Sequence, residues 1–308
     1  MSDDHDEVFA DDVSDDGGAL DSVRALVRAR QAETARLDLA AQRAEMDDRG
    51  ARAPLPAGWS ATRFDLGRPG ELLRGPSAAI TRSILYLHGG GFCMGAPKSH
   101  RALAAQIGHA AQAEVFTLAY RLAPEHRAPA ALEDALDAYR RLLATGRDAR
   151  SIALIGDSAG GGLALHLAAA LKSAGLPAPL AVVAISPWVD LTLTGSSLRT
   201  RAARDPALTQ ERLATCAGHF VGDGDARAAS ALFADLAGLP PVLVHVGDDE
   251  ILLSDAERFI SAARAVGVDA TVEIWPGLFH VWHAYFPMIE EAREAISEIG
   301  AWLKRRWP

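Results

Sequence analysis

The sequence predicts an α/β fold: a mostly parallel, doubly wound central sheet, helices on both faces and a helical cap. Three observations carry that expectation. Apolar runs of strand length alternate with helix-length runs along most of the 308 residues, as successive strand–helix–strand units with right-handed crossovers require. The later apolar runs show almost no polar alternation, the pattern of strands covered by helices on both sides. One interval, 190–239, is about twice as long as an ordinary crossover and carries helix-like pieces of its own.

In chain order, residues 1–18 begin with eight acids and no Lys or Arg in the first sixteen positions, the composition of a solvated, disordered tail. Residues 19–58 read as N-terminal cap helices. Leu20, Val23, Leu26 and Val27 form an apolar stripe, a break falls near Thr34, and Pro54, Pro56 and Gly58 end the helical region. Residues 59–308 form the core. Its strands are expected at 60–66, 83–88, 114–119, 151–155, 181–186, 241–246 and 270–275, and its helices at 100–113, 129–143, 159–174, 255–266 and 287–306. Within 190–239, helical pieces are expected at 209–220 and 226–236, forming a cap over the carboxyl edge of the sheet, where open α/β sheets bind ligands.

Composition excludes several function classes. Removing the eight acids of the tail from the 40 leaves 32 against 31 Lys and Arg, so the body is near neutral and offers no nucleic-acid surface. No apolar run approaches the ~18 residues of a membrane span, and the acidic N-terminus has no secretory signal pattern. Two cysteines, Cys93 and Cys216, give neither a disulfide framework nor metal-ligand spacing. The expectation is a reduced, cytoplasmic protein.

The chemistry centres on Gly156-Asp157-Ser158-Ala159-Gly160, between an apolar strand and a helix of small residues. A serine on such a strand-to-helix corner stands above the sheet edge, where a base can reach it. Upstream, a strand runs into His88-Gly89-Gly90-Gly91-Phe92, whose glycines let backbone N–H groups face a bound carbonyl; Ala159, next to the serine, supplies another donor. His88 reads as a residue that holds the loop, because the base should follow the serine. Among the later histidines, His166 and His245 read as packed residues and His219 falls in the cap. His280 lies on the loop after the last strand, on the Ser158 side, with His283 as the alternative. The acid belongs on the loop at residues 247–253, with Asp248, Asp249 and Glu250 all available; Ser254 and Glu257 form a capping-box pattern that would start the next helix.

Four stretches together resemble the hormone-sensitive-lipase-like α/β-hydrolases, the bacterial carboxylesterase group: His88-Gly-Gly-Gly-Phe92, Tyr120-Arg-Leu-Ala-Pro-Glu-His126, Gly156-Asp-Ser-Ala-Gly-Gly161 and Ser186-Pro-Trp-Val-Asp-Leu-Thr192. The resemblance runs from about residue 20 to the C-terminus. It implies the α/β-hydrolase fold, a Ser–acid–His triad of Ser158, Glu250 and His280, and oxyanion donors at Gly90, Gly91 and Ala159. His88, Gly89 and Asp157 fall in supporting positions. It also implies no metal and no organic cofactor, a small-molecule ester as substrate, and a homodimer as a common though here unspecified assembly. The chain departs from the family at the acid, which is usually Asp followed two positions later by Leu; Glu250-Ile251-Leu252 fits that frame and Asp248 does not. The implied activity is hydrolysis of short- to medium-chain carboxylic esters. Lactone hydrolysis or small-molecule deacetylation would use the same groups. A non-catalytic receptor on this fold would have lost the serine or histidine, and a peptidase would need a large extra domain.

Overall fold

The computed structural model describes residues 18–308; the acidic stretch expected to be disordered lies outside them. Among the described residues eight strands form one sheet in the order β1-β2-β4-β3-β5-β6-β7-β8. From β3 (Ala79–Leu87) and β4 (Ala113–Leu118) through β5 (Ile152–Asp157), β6 (Ala181–Ile185) and β7 (Val242–Gly247) to β8 (Ala270–Trp275) every pairing is parallel. At the other end β1 (Ser60–Asp65) and β2 (Pro69–Arg74) attach antiparallel. The sequence reading misses β2, because Pro69, Gly70 and two charged residues in six positions hide a strand.

Side chains alternate between two cores. On β3, Leu85 and Leu87 face one apolar cluster and Ile84 and Tyr86 the other. The first is covered by α4 (Ala130–Ala144), α5 (Ala159–Ser173) and α8 (Leu253–Ala265). The second is covered by α3 (Pro97–Ala111), α9 (Glu290–Lys304) and α1 (Ala19–Thr34). Strands β4 to β7 are buried along their whole length, which explains their unbroken apolar sequence.

Two segments lie over the loops at the carboxyl ends of the strands. The N-terminal pair breaks after Thr34 as expected, into α1 and α2 (Leu39–Arg52), with Asp38 capping α2 through the Ala41 N–H at 2.8 Å. Arg43 of α2 donates to the carbonyls of Cys93 (2.7 Å) and Ala123 (2.8 Å), beyond β3 and β4. Arg24 of α1 donates to Gly277 O (2.7 Å), beyond β8. The segment 190–239 contains α6 (Ser197–Thr200) and α7 (Gln210–Val221), the latter capped by Thr209. The helix expected at 226–236 does not form. Turns and a three-residue 3₁₀ turn, Ala231–Phe233, replace it, and Ser230 uses its hydroxyl on Leu191 N–H (2.8 Å) and Ala226 O (2.6 Å) instead. The capping box at Ser254 and Glu257 is not formed either. Helix α8 already begins at Leu253, and the Ser254 hydroxyl meets that of Ser197 at 2.6 Å.

Candidate active site

Ser158 alone makes the turn from β5 to α5, with φ 53° and ψ −122°. A non-glycine residue stays in this strained region only when its surroundings hold it. Its N–H donates to Ile185 O (2.8 Å), and its carbonyl accepts from the N–H groups of Gly162 and Trp188 (3.0 Å each). The corner also needs close backbone approach: a Cβ on Gly160 would overlap the Leu87 carbonyl.

Ser158 Oγ lies 2.9 Å from His280 Nε2, and His280 Nδ1 lies 3.0 Å from Glu250 Oε2. Glu250 is fully buried. Its other oxygen, Oε1, accepts from Ser186 Oγ (2.7 Å) and Gly247 N–H (2.6 Å). Ser186 Oγ in turn accepts from Val281 N–H (3.0 Å), so one hydroxyl holds both the acid and the residue after the histidine. The other acids of the loop face elsewhere. Asp248 accepts from Gly277 N–H (2.6 Å), and Asp249 pairs with Arg24 (2.7 Å) and with Arg204. His283 is buried against His245, 3.3 Å away, and not against Ser158. Burial disfavours the His280 imidazolium, but the hydrogen bond and charge of Glu250 outweigh it and raise the pKa above its ordinary value.

The glycine turn after β3 is fastened to the serine corner. Asp157 Oδ1 accepts from Tyr86 OH (2.7 Å) and Gly89 N–H (3.1 Å), and His100 Nε2 stands 3.5 Å from Oδ2. His88 lies flat on Tyr120, ring centres 4.2 Å apart, and hydrogen-bonds Gly89 O at 2.8 Å. Burial, then the nearby His100, push its pKa down to about 3, so it stays neutral and holds the loop. Gly90 and Gly91 take φ 117° and 62°. Their N–H groups and that of Ala159 donate to no acceptor among the described residues.

The sequence profile of the α/β-hydrolase fold family matches residues 84–284. An esterase of the bacterial hormone-sensitive lipase family superposes with a TM-score of 0.91 at 41% identity, over 94% of this chain and 98% of that one. This chain is a hormone-sensitive-lipase-like α/β-hydrolase. It is also 46% identical to an acetyl-hydrolase of Streptomyces hygroscopicus, over 74% of this chain and 77% of the relative. With an esterase of Acinetobacter venetianus it shares 38% identity over 76% and 78% of the two chains.

Beside the serine corner the hydrolase has a cavity of about 260 Å³. Gly162, Leu163 and His166 of α5 and Trp188 line it, with Phe92, Phe220 and Val221 across from them. Phe92 of the glycine turn and Phe220 of α7 stack with ring centres 4.0 Å apart. The two cysteines are buried free thiols where α7 meets the glycine turn, with Cys93 Sγ 3.8 Å from Cys216 O. The sequence reading missed the supporting roles of Ser186, Tyr86, His100 and Asp205. Asp205 accepts from Ile251 N–H at 3.0 Å and braces the Glu250 loop, yet nothing marks it in the irregular stretch Arg201–Pro206. Ser186 and Tyr120 stand within quoted motifs, so their positions were visible although their hydrogen bonds were not. The only His/Cys/Asp/Glu group with metal-ligand spacing among the described residues is His245, Glu273 and Glu298, outside the Ser158–His280–Glu250 line.

Proposed function

We propose that this hydrolase is a carboxylesterase that cleaves short- to medium-chain esters through an acyl-enzyme. The observation that carries the reading is the unbroken hydrogen-bonded line from Ser158 Oγ through His280 to Glu250. Ser158 Oγ attacks the ester carbonyl while His280 Nε2 takes its proton, and Glu250 stabilises the imidazolium that forms. The N–H groups of Gly90, Gly91 and Ala159 receive the negative charge on the carbonyl oxygen. His280 then protonates the departing alcohol, and water, deprotonated by the same imidazole, releases the acid and restores Ser158. The helices at 19–58 and the segment 190–239 act as the cap. The neighbouring cavity, which Ser158 and His280 do not themselves line, is largely apolar and favours a hydrocarbon group over a charged one. A cytoplasmic setting belongs to the same reading, supported by two buried cysteines left unpaired.

Ser158→Ala should lower kcat for p-nitrophenyl butyrate by ~10⁴-fold or more with an unchanged melting curve. Wild-type turnover by that variant would remove Ser158 from the reaction. The similarity to an acetyl-hydrolase favours a second, narrower reading, removal of acetyl groups from small molecules. A series of p-nitrophenyl esters, an acetylated sugar and a lactone separates the two: butyrate ahead of acetate and acetyl sugar supports the broader esterase.

A further inference from the structure

On the sheet face that carries α9, three potential ligands converge that the ester chemistry does not use. His245 on β7 and Glu273 on β8 are direct neighbours in the parallel ladder, and Glu298 reaches them from α9. One ligand atom of each lies within 4.8 Å of the other two. His245 is completely buried, and its Nε2 stands 2.8 Å from Glu273 Oε2, off the line a hydrogen bond needs, so neither atom has a hydrogen-bond partner. A fully buried imidazole nitrogen that touches a carboxylate without an aligned hydrogen bond is costly unless something fills the gap.

Charge points the same way. No Lys or Arg nitrogen of the described residues comes within 4.0 Å of Glu273 or Glu298. Arg305 and Glu294 are the further charges facing the pair. The tautomer is also suited. With Nε2 as ligand, His245 Nδ1–H donates to His283 Nε2, 3.3 Å away, the outer hydrogen bond that ligating histidines use to fix their orientation.

We propose that His245, Glu273 and Glu298 form a binding site for a divalent transition-metal ion of the Zn²⁺ class. One imidazole and two carboxylates suit Zn²⁺, Co²⁺ or Mn²⁺ better than Mg²⁺ or Ca²⁺, which prefer all-oxygen sites. Tetrahedral ligands about 2.0–2.1 Å from the ion stand about 3.3 Å apart, so binding an ion requires His245 and Glu273, now 2.8 Å apart, to separate by about 0.5 Å. Glu298 is exposed, which leaves a path for entry and room for water as fourth ligand. The ion ties β7 and β8 to α9, behind the two strands from whose ends the Glu250 and His280 loops depart.

The test is calorimetric titration of the full chain, stripped with chelator, with Zn²⁺, alongside Co²⁺ absorption and Zn²⁺-dependent melting. The expected result is one Zn²⁺ per chain, a visible Co²⁺ band, and a melting temperature that rises with Zn²⁺. Glu298→Gln and Glu273→Gln should each weaken binding ~10-fold or more, abolish the Zn²⁺-dependent rise and leave esterase activity in metal-free buffer unchanged. Absence of stoichiometric binding, or binding that survives the double variant, overturns the proposal. A Ser158→Ala protein should bind Zn²⁺ like the wild type, which keeps this site's fate separate from that of the ester reading.

Discussion

The two oxygens of Glu250 do different work. Oε2 meets His280, while Oε1 is held by Ser186 and by the N–H of Gly247. Glu250→Gln should therefore lower kcat by ~10²–10⁴-fold, while Asp248→Asn leaves it nearly unchanged; the reverse ranking in p-nitrophenyl ester assays would move the acid to Asp248. A pH profile adds an independent check. In the proposed mechanism His280 is the base and must be neutral, and Glu250 raises its pKa, so wild-type kcat/KM should fall as pH drops through a value above ~6.5. Removing the Glu250 charge removes that raise, so the residual activity of Glu250→Gln should persist to lower pH. At this scale much of the site was legible. The serine, histidine and glycines carry their spacing in the sequence, and Glu250 followed from the frame Glu250-Ile251-Leu252. The anchors were not legible, because Ser186 sits 64 residues from Glu250 and Tyr86 71 residues from Asp157; only folding makes them neighbours.

Among the elements, small residues decide how closely helices approach. Gly300 on α9 faces Ala110 on α3 so closely that a Cβ there would run into the Ala110 backbone, at one of the most extensive helix–helix contacts of the fold. Gly300→Ala should destabilise by ~1–3 kcal/mol despite its better helix propensity, read from the urea midpoint; a gain in stability would show that the helices part freely. The elements whose type followed from periodicity were the buried ones, where apolar runs and helix stripes are longest. Those that misled were marginal. Strand β2 owes its existence to pairing on both sides rather than to its own residues, and 226–236 has a helical composition spent on tertiary hydrogen bonds. The Ser254 capping pattern failed for the same reason, since its hydroxyl is taken by Ser197.

Across the whole molecule, arginines of the first two helices reach loops at both ends of the active edge. Arg43 grips the turn after β3, and Arg24 pairs with the buried Asp249 beside Glu250. Arg24→Ala leaves that carboxylate with Arg204 alone and should cost ~1–3 kcal/mol, with a fall in kcat because the Glu250 loop loosens. Unchanged urea midpoint and kcat would show that α1 rests on the site without bracing it.

The Arg24 contact spans 253 positions to the Gly277 carbonyl. During synthesis the first helix therefore leaves the ribosome long before its partner loop has been made. Local helices and the early strands can form on the growing chain, but contacts this distant close last and slowly. On the proposed mechanism the nascent protein stays inert until His280, near the end of the chain, has been translated. Any premature stop before the His280 loop leaves a chain without α9 and with the apolar sheet face that α9 covers exposed, a substrate for proteases rather than a weak enzyme.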